Sequence, residues 1–392
     1  MPAPTSSVLI VGGGAFGLSS ALELRRRGHG VTVLDPGPLP HPDAASTDIS
    51  KVVRLDYGSD ELYTRLAEDS IALWKQWSEE FGEAVYHETG VLYLSRKPLT
   101  PASFEHKSLQ VLATRGHATQ RLDSASLAEH FPAWTAEHYP EGYYNPQGGW
   151  SPSGRVVTLL AQQAEREGVS LVPGAAFAKL IESDGRVTGV QTRKGDRYHA
   201  DVVVLAAGAW TAQLLPELSE YMWPVAQPVM HFMPEHPDAL RPPAFPVWTA
   251  DVEQTGWYGF PAQADGTVKV ANHGPGWAMD PSGERRMPAG TEERFRAFFA
   301  ESLKSVASAP KTYERLCFYC DTADGDFWID YHPQRWGLLI STGGSGHAFK
   351  FTPMLGPVTA DVLEGQSSDY TRRFAWRDAQ LSKEASRYAP RK

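Results

Sequence analysis

A short apolar strand followed by a glycine-rich turn, near the start of the chain, is the feature that most constrains the fold. Residues 8–11 carry no charge and predict a buried parallel strand. Gly12, Gly14 and Gly17 follow with G-x-G-x-x-G spacing. In this motif the first glycine permits a tight turn, the second lets the backbone approach a pyrophosphate, and the third lets the next helix pack close. The spacing predicts a strand–turn–helix unit whose helix N-terminus faces phosphates.

The residues after this motif agree with a dinucleotide-binding unit. Arginines at positions 25–27 suit the negative end of a helix dipole, and Gly28 suits the C-cap. A strand over 31–34 then leads to Asp35, at the distance expected for a carboxylate that accepts from ribose hydroxyls. Because a carboxylate there repels a 2′-phosphate, the sequence favours FAD or NAD over NADP. A glycine-rich turn in an unrelated fold is the alternative.

Composition narrows the function further. The chain has 392 residues, enough for two domains, and its net charge of −9 offers no general attraction for nucleic acid. It has no apolar run of the ~20 residues that a membrane helix needs and no recognisable signal peptide. We therefore expect a cytoplasmic monomer with no membrane or nucleic-acid partner. Two cysteines are too few for a disulfide framework, and we expect no metal site.

Two later segments repeat the pattern of a strand ending in small residues. Residues 201–210 predict a buried strand whose end, at Ala207, Gly208 and Trp210, approaches the nucleotide. Residues 337–350 predict a third strand that enters a glycine-rich loop, with a helix around 357–364. The fold class is therefore α/β (α+β overall). It is a Rossmann-like FAD-binding domain built from discontinuous segments, with a substrate domain based on a mixed or antiparallel sheet.

The same pattern sets the expected domain limits. We assign 1–85, 145–215 and 325–370 to the FAD-binding domain and 86–144 and 216–324 to the substrate domain. A packing helix is expected over 62–81, where apolar residues recur at helical spacing. The basic, aromatic tail at 371–392, with Trp376 and Tyr388, predicts a helix that packs on the surface through its aromatic rings.

The next candidate functional residues are cationic side chains that the sequence clusters or places on an apolar strand. Lys51 and Arg54 lie just after the nucleotide unit, on one face of a helix or on opposite faces of a strand. Lys269 lies on an apolar strand over 268–271, so its ammonium must find a partner or be partly neutralised by desolvation. The spacing of Cys317 and Cys320 fits a dithiol redox pair, but the apolar run at 316–319 predicts a strand where such a pair normally opens a helix.

Several later motifs resemble the flavin-dependent amine oxidases typified by monomeric sarcosine oxidase, a family that includes pipecolate, N-methyltryptophan and fructosyl-amino-acid oxidases. The segment Cys317-Phe318-Tyr319, followed by residues 330–333, is similar to the one whose cysteine is joined to the 8α-methyl group of FAD. Residues 343–350 resemble the family's C-terminal flavin loop. Tyr258, Lys269 and His273 keep the spacing around its oxygen-activating lysine.

The resemblance implies a set of site residues. Arg54 with Tyr57 matches the family's arginine and tyrosine near the substrate carboxylate, and Lys350 adds a second cation. The other expected catalytic or substrate-binding residues are Lys51, Tyr258, Lys269, His273 and Tyr319. The expected cofactor-binding residues are Gly12, Gly14, Ala15, Phe16, Gly17, Asp35, Ser46, Thr47, Ala207, Gly208, Trp210, Cys317, Gly344, Gly346, His347 and Lys350.

The implied reaction is oxidation of a C–N bond of a secondary amine or N-substituted amino acid to an imine, with reduction of O₂ to H₂O₂. The cofactor is FAD, attached through Cys317. Sarcosine oxidases carry an arginine at the position of Lys51, whereas fructosyl-amino-acid oxidases carry a lysine there. A glycated amine is therefore the alternative substrate. A dehydrogenase that passes electrons to a partner, and a non-catalytic nucleotide-binding module, are alternatives from other classes.

Overall fold

The computed structural model describes residues 5–377 of the chain. Its strands are β1 (Ser7–Val11), β2 (Gly30–Asp35), β3 (Lys51–Arg54), β4 (Val91–Ser95), β5 (Gln120–Asp123), β6 (Glu141–Asn145), β7 (Gly148–Ser151), β8 (Ser170–Pro173), β9 (Phe177–Ser183), β10 (Arg186–Thr192), β11 (Arg197–His199), β12 (Val202–Leu205), β13 (Met222–Phe232), β14 (Val247–Ala250), β15 (Trp257–Gly259), β16 (Val268–Asn272), β17 (Lys311–Thr322), β18 (Trp328–Tyr331) and β19 (Leu338–Thr342). Its α-helices are α1 (Ala15–Arg26), α2 (Glu61–Phe81), α3 (Phe104–Thr114), α4 (Ser124–His130), α5 (Ser153–Arg166), α6 (Thr211–Leu214), α7 (Thr291–Ser302), α8 (Lys304–Ala307), α9 (Thr352–Leu363) and α10 (Asp369–Arg373).

A six-stranded sheet holds the glycine-rich turn. Its strand order is β18-β19-β12-β1-β2-β8, and all neighbours are parallel except β18 and β19. The strand β1 lies at the centre, and its last four residues are buried, as its uncharged sequence predicts. Helices α1, α5 and α9 cover this sheet, so the expected Rossmann-like arrangement is confirmed.

The second sheet has eight strands in the order β17-β13-β16-β15-β14-β4-β6-β5. Its neighbours are antiparallel except β14 and β4, so the sheet is mixed, as expected. A large apolar core, rich in aromatic rings, lies between this sheet and the helices α4, α7 and α8. The strands of the six-stranded sheet fall within the segments assigned above to the FAD-binding domain. Those of the eight-stranded sheet fall within the segments assigned to the substrate domain, apart from Asn145 at the end of β6. The domain limits themselves stay a prediction.

The structure decides one local question, helix or strand at residues 51–54, and corrects two expected element boundaries. Residues 51–54 form a strand paired with β7, so Lys51 and Arg54 point to opposite faces. The strand predicted over 201–210 ends at Leu205, and a short 3₁₀ helix covers Gly208–Trp210. The last long helix begins at Thr352 and not near 357, because Pro353 occupies its first turn and Pro357 is tolerated inside it.

The tail agrees only in part with expectation. Its helical portion ends at Arg373, and Trp376 follows in irregular backbone. The Trp376 ring packs against Trp328 with centroids 5.4 Å apart. Tyr388 lies outside the described residues. Among residues 5–377, no helix is long and apolar enough to cross a membrane.

Candidate active site

A cavity of about 450 Å³ opens at the carboxyl ends of β1, β2 and β12. This cavity, called the larger cavity below because a smaller one adjoins it, reaches from the glycine-rich turn to the second sheet, where Phe318 and Tyr319 line it. The expected site residues among its lining are Gly12, Gly14, Ala15, Phe16, Asp35, Ser46, Lys51, Ala207, Gly208, Trp210, Tyr319, Gly344 and Gly346. The carboxyl ends of parallel strands are where open α/β sheets bind ligands.

The turn after β1 has no room for side chains. Gly12 has φ +109°, and a Cβ there would lie 2.5 Å from the carbonyl oxygen of Ala206. A Cβ on Gly17 would lie 1.8 Å from the carbonyl oxygen of Gly12. Both positions therefore require glycine, for the turn and for the close approach of α1.

Asp35 is held at the end of β2 by backbone donors. Its Oδ2 accepts from the Gly13 N–H at 2.8 Å and its Oδ1 from the Gly37 N–H at 3.0 Å. Burial raises the pKa of the Asp35 carboxyl, and the two N–H donors act against this rise. Its remaining lone pairs are available to ribose hydroxyls in the cavity. The glycine turn, the start of α1 and Asp35 together fit an adenine dinucleotide.

A smaller cavity of about 130 Å³ adjoins the first. The two cavities share Lys51, Tyr319, Gly346 and Phe349, so they meet at these residues. The expected site residues among its lining are Lys51, Arg54, Tyr258, His273, Tyr319, Gly346, His347 and Lys350. This arrangement suits a cofactor in one cavity and a small substrate in the other.

Arg54 lines the smaller cavity and has an unused hydrogen-bond donor. Its Nη1 is buried and has no hydrogen-bond partner among the described residues. The guanidinium lies over the Tyr57 ring, 4.5 Å from its centroid. Burial lowers the pKa of Arg54, but Tyr93, Tyr57 and Asp56 outweigh this effect, so the guanidinium stays charged. A buried, charged donor of this kind is poised for an acceptor on a ligand.

Lys350 has more partners than the sequence predicts. Its Nζ donates to the Tyr57 hydroxyl at 3.0 Å and to the carbonyl oxygen of His347 at 2.7 Å. Burial, aided by Arg54, holds the pKa of Lys350 well below its ordinary value. The His347 ring contacts the Tyr57 hydroxyl through Nδ1 and the carbonyl oxygen of Gly325 through Nε2. The Tyr57 hydroxyl thus links Lys350 to His347, although Tyr57 itself lines neither cavity.

Lys51 lies where the cavities meet, beside Cys317. Its Nζ is 3.7 Å from the Cys317 Sγ. Burial lowers the pKa of Lys51, but Cys317, Asp48 and Tyr258 outweigh it, so the pKa is raised. Cys317 and Cys320 are free thiols on opposite faces of β17, which rules out a dithiol pair within the described fold. Burial raises the pKa of the Cys320 thiol to about 12.

Lys269 is fully buried and ion-paired. Its Nζ lies 2.6 Å from Oδ2 of Asp48, donates to the carbonyl oxygen of Ser50, and sits over the Phe260 ring. Burial lowers the pKa of Lys269 to about 8, and Asp48 opposes this fall. Of the two alternatives that the apolar strand predicts, a partner or partial neutralisation, the structure therefore shows the partner, Asp48.

The glycine loop after β19 lets aromatic side chains approach closely. Gly346 has φ +73°, and a Cβ there would lie 2.3 Å from the Tyr319 ring and 2.9 Å from Cε1 of His273. Gly344 would place a Cβ 3.0 Å from that of Ala348. The loop leads into α9, whose N-terminal turn favours negative charge nearby.

The structure does not bring every expected residue to the cavity walls. Among the described residues, those that line neither cavity are Gly17, Thr47, Tyr57, Lys269 and Cys317. Thr47 instead accepts from Arg315 through its carbonyl oxygen. Sequence reasoning missed Asp48, whose only local signal is a lone carboxylate in an otherwise uncharged segment before Lys51. It also missed Thr249, whose buried hydroxyl lines the smaller cavity without a hydrogen-bond partner in the described range.

Residues 7–362 match the family of FAD-dependent oxidoreductases known as DAO. The chain belongs to this family. The oxidoreductase is 25% identical over 360 residues to monomeric sarcosine oxidase from a Bacillus species, with 91% of each chain covered. It is 27% identical over 359 residues to N-methyl-L-tryptophan oxidase from Salmonella arizonae, covering 90% of this chain and 93% of the relative.

Solved structures agree with this membership. The oxidoreductase superposes on the fructosamine oxidase Amadoriase II of Aspergillus fumigatus with a TM-score of 0.85 and 26% identity, covering 98% of this chain and 94% of the other. The fructosyl peptide oxidase of E. terrenum gives a TM-score of 0.85 at 26% identity, covering 99% and 96%. FAD is the cofactor of this family, and the glycine turn and Asp35 in the larger cavity fit its adenine dinucleotide.

Proposed function

We propose that this oxidoreductase oxidises the C–N bond of a secondary amine that carries a carboxylate, an N-substituted amino acid, and reduces O₂ to H₂O₂. The observation that carries the proposal is the buried, unpartnered Nη1 of Arg54, a residue that lines the cavity next to the proposed FAD site. A carboxylate there gains a charge-assisted hydrogen bond and relieves an unsatisfied donor. The names of the sarcosine and N-methyltryptophan oxidases describe substrates with this chemistry.

Different residues of the chain have different roles in this reaction. FAD, when bound, would supply an acceptor for the two electrons of the amine C–H bond and a two-electron donor for O₂, while the two hydrogens that the amine loses balance the two protons of H₂O₂. Arg54 holds the carboxylate, while Lys51 places a positive charge where the two cavities meet. Negative charge that develops at this junction is stabilised by that ammonium in a site of low dielectric. Tyr258, His273 and Tyr319 line the same cavity and exclude water from the reacting carbon.

Cys317 is the residue that we propose attaches FAD. Its Sγ lies 3.7 Å from Nζ of Lys51, a residue at which the two cavities meet. Its Sγ is also 3.9 Å from the carbonyl oxygen of Ala45, a residue that lines the larger cavity. The attacking sulfur is thus next to the FAD site, although it does not form part of its wall.

Cavity size favours a small substrate. The smaller cavity, at about 130 Å³, is below the roughly 300–1,000 Å³ of sites for drug-sized ligands. A glycated amine is the second candidate, because Thr249 and Glu253 in the same cavity offer polar groups to sugar hydroxyls. The fructosamine and fructosyl peptide oxidases carry that activity in their names.

A peroxide-coupled screen tests the proposal. The substrates are sarcosine, pipecolate, proline, N-methyl amino acids and fructosyl-glycine, each paired with the matching amine that lacks the carboxylate. We expect peroxide from a secondary amino acid and at least about tenfold weaker use of its decarboxylated partner. Arg54→Met should abolish this preference, whereas Arg65→Met, at an exposed arginine, should leave it intact.

Other outcomes of the screen contradict parts of the proposal. Turnover of fructosyl-glycine alone would assign the second candidate function. Flavin reduction without peroxide under air would identify a dehydrogenase that passes its electrons to a partner. Equal losses on both members of each pair in Arg54→Met would show that the arginine supports the fold and does not bind the carboxylate.

A further inference from the structure

One wall of the smaller cavity is a row of hydroxyl-bearing side chains on the eight-stranded sheet. In the register of this sheet, Thr249 of β14 lies opposite Tyr258 of β15 and opposite Tyr93 of β4. Tyr93 in turn lies opposite Tyr143 of β6. Residues paired across neighbouring strands point to the same face of a sheet. The first three members of this row, Tyr258, Thr249 and Tyr93, line the smaller cavity.

The sequence of β14 places the Thr249 side chain on the same face as the row. Its neighbours Trp248 and Ala250 belong to the large apolar core on the other face of the sheet. Val247 packs in a separate cluster that contains Tyr93. Because side chains alternate between the two faces along a strand, Thr249 shares the face of Val247. The Thr249 side chain therefore lies among the residues that line the smaller cavity.

The hydroxyl of Thr249 is buried and unused. Thr249 is 7% exposed, and its Oγ1 has no hydrogen-bond partner within residues 5–377. The Tyr143 hydroxyl, at the end of the row, instead donates to Asp56 at 2.7 Å. A valine has nearly the shape of threonine and suits a strand equally well, but it has no polar atom to satisfy. A buried hydroxyl without a partner costs free energy, and a ligand that supplies the partner offsets this cost.

The two ends of the row lie near different cations. Burial raises the pKa of both Tyr93 and Tyr258, while Arg54 acts against the rise at Tyr93 and Lys51 against the rise at Tyr258. Thr249 lies between the two tyrosines, one strand spacing of about 4.8 Å from each. A substrate whose carboxylate binds Arg54 and whose reacting carbon faces the junction at Lys51 therefore passes beside Thr249.

Resting on the proposed oxidase function, we propose that Thr249 determines specificity by binding a hydroxyl group of the substrate. The substrate class is then N-substituted amino acids that carry a hydroxyl on the side chain or on the N-substituent. A threonine hydroxyl donates one hydrogen bond and accepts others, so it pairs with a substrate hydroxyl in either direction. A substrate with a methyl group at that place leaves Thr249 unpaired and is selected against.

The first test measures ligand binding to the oxidised holoenzyme by isothermal titration calorimetry, so it needs no turnover. The probes are paired carboxylates in which a terminal hydroxyl replaces a methyl group: glycolate with propionate, 3-hydroxypropionate with butyrate, and 4-hydroxybutyrate with pentanoate. In wild-type protein at least one hydroxy acid should bind about tenfold more tightly than its partner. Thr249→Val should reverse this preference, whereas Thr249→Ser should keep it.

The second test compares kcat/KM in the peroxide-coupled assay. N-methylserine is paired with N-methyl-2-aminobutyrate, and N-(2-hydroxyethyl)glycine is paired with N-propylglycine. The hydroxyl is thus on the side chain in one pair and on the N-substituent in the other. At least one pair should favour its hydroxylated member by about tenfold or more. Thr249→Val should abolish this preference through a higher KM for the hydroxylated substrate. Thr312→Val, at an exposed threonine of β17, is the matched control and should leave the preference intact.

Thermal unfolding separates a ligand-binding role from a structural one. Because Oγ1 of Thr249 has no partner among the described residues, Thr249→Val should not lower the melting temperature of the holoenzyme without substrate. A fall of several degrees would show that the hydroxyl supports the fold, and it would overturn the proposal.

The outcomes also separate the hydroxyl subsite from the oxidase function. Equal kcat/KM within both substrate pairs, with equal binding within all the acid pairs, would overturn the subsite and leave the oxidase function intact. A preference that persists in Thr249→Val would assign the hydroxyl to another residue and overturn the role of Thr249. A Thr249-dependent preference among the acids, without peroxide from any secondary amino acid, would overturn the oxidase function and support the subsite.

Discussion

Two cysteines three residues apart on one strand have different surroundings. Cys317 faces Val229, Ala271 and Tyr319, with the Lys51 ammonium 3.7 Å from its sulfur. Cys320 points to the opposite face, where burial raises its pKa to about 12. Cys320 lines the larger cavity, but its raised pKa disfavours the nucleophilic thiolate, so Cys317 is the residue of the two that we propose attaches FAD.

We therefore expect yellow colour to remain with the wild-type polypeptide after acid denaturation. Cys317→Ala should release all of its FAD under the same treatment. Cys320→Ala, the matched control on the other face of β17, should retain the flavin. Absorbance at the flavin maximum, measured on the precipitated protein and on the supernatant, checks this expectation. Release of FAD from wild-type protein with an intact Cys317 would contradict it.

Lys350 is a buried amine whose ammonium form is disfavoured by burial and by Arg54. An anion bound at Arg54 favours the ammonium, so it raises the pKa of Lys350 in the complex. Anion binding is then coupled to proton uptake by Lys350. The affinity is highest when Lys350 is protonated and falls as pH rises from the pKa of the free protein to that of the complex.

Inhibition by acetate measures this coupling without interference from an amine on the ligand. The inhibition constant should rise with pH, by at most about tenfold per pH unit inside that window. Lys350→Met should bind acetate more weakly at low pH and lose this pH dependence. A constant that does not vary with pH in the wild-type protein would show that Lys350 does not exchange its proton when the anion binds.

At the scale of elements, the crossing of α1 and α9 joins the two loops of the larger cavity. Ser19 on α1 donates through Oγ to the carbonyl oxygen of Thr352 and accepts from the N–H of Gly356 at 2.9 Å. A Cβ on Gly356 would lie 2.3 Å from the Ser19 carbonyl oxygen. The helices approach this closely only because position 356 has no side chain.

Gly356→Ala should therefore force the two helices apart and destabilise the protein by about 1–3 kcal/mol. FAD binding should weaken as well, because the loops that precede both helices line the cavity. Denaturant unfolding and flavin titration, performed in the Cys317→Ala background, measure both effects. Gly30→Ala, where a Cβ meets nothing within 4 Å, is the control. Equal stability of the two variants would contradict this account of the crossing.

At the scale of the whole molecule, both sheets contribute walls to the larger cavity, which we propose as the FAD site. The first sheet supplies the glycine turn and Asp35, while β17 supplies Phe318 and Tyr319. A ligand that binds only the native arrangement stabilises it by mass action. The apoprotein should thus be less stable than the holoprotein as a whole, and not only around the nucleotide unit.

Addition of FAD to the Cys317→Ala apoprotein should raise the melting temperature by roughly 5 °C at 100 times the dissociation constant. The rise should grow with the logarithm of the FAD concentration, and NADP should produce none because Asp35 repels its 2′-phosphate. Differential scanning calorimetry provides the measurement. A melting temperature that is independent of FAD would contradict the cavity assignment.

Much of this architecture is set by local sequence. The uncharged strand at Val8–Val11, the positive φ of Gly12, the approach of Gly17 to the Gly12 carbonyl and the carboxylate at Asp35 impose constraints that act within about thirty residues. Such constraints are independent of the rest of the chain, so they identify the dinucleotide unit before any tertiary contact is known. The strand at 268–271 likewise shows that Lys269 needs a partner, because an ammonium on a fully apolar strand cannot remain unpaired.

Tertiary structure alone decides which partner each buried charge finds. Asp48 and Lys269 are 221 positions apart, and only the folding of the segment before β3 onto β16 brings their charged groups within 2.6 Å. Tertiary packing also gives Lys350 its contact with Tyr57, leaves the buried Nη1 of Arg54 without a hydrogen-bond partner in the described range, and places Cys317 beside Lys51. The sequence by itself determined the cofactor-binding unit, because local backbone geometry specifies it. Only the fold decided the electrostatics of the site, because these depend on burial and on distances between charges that are remote in the chain.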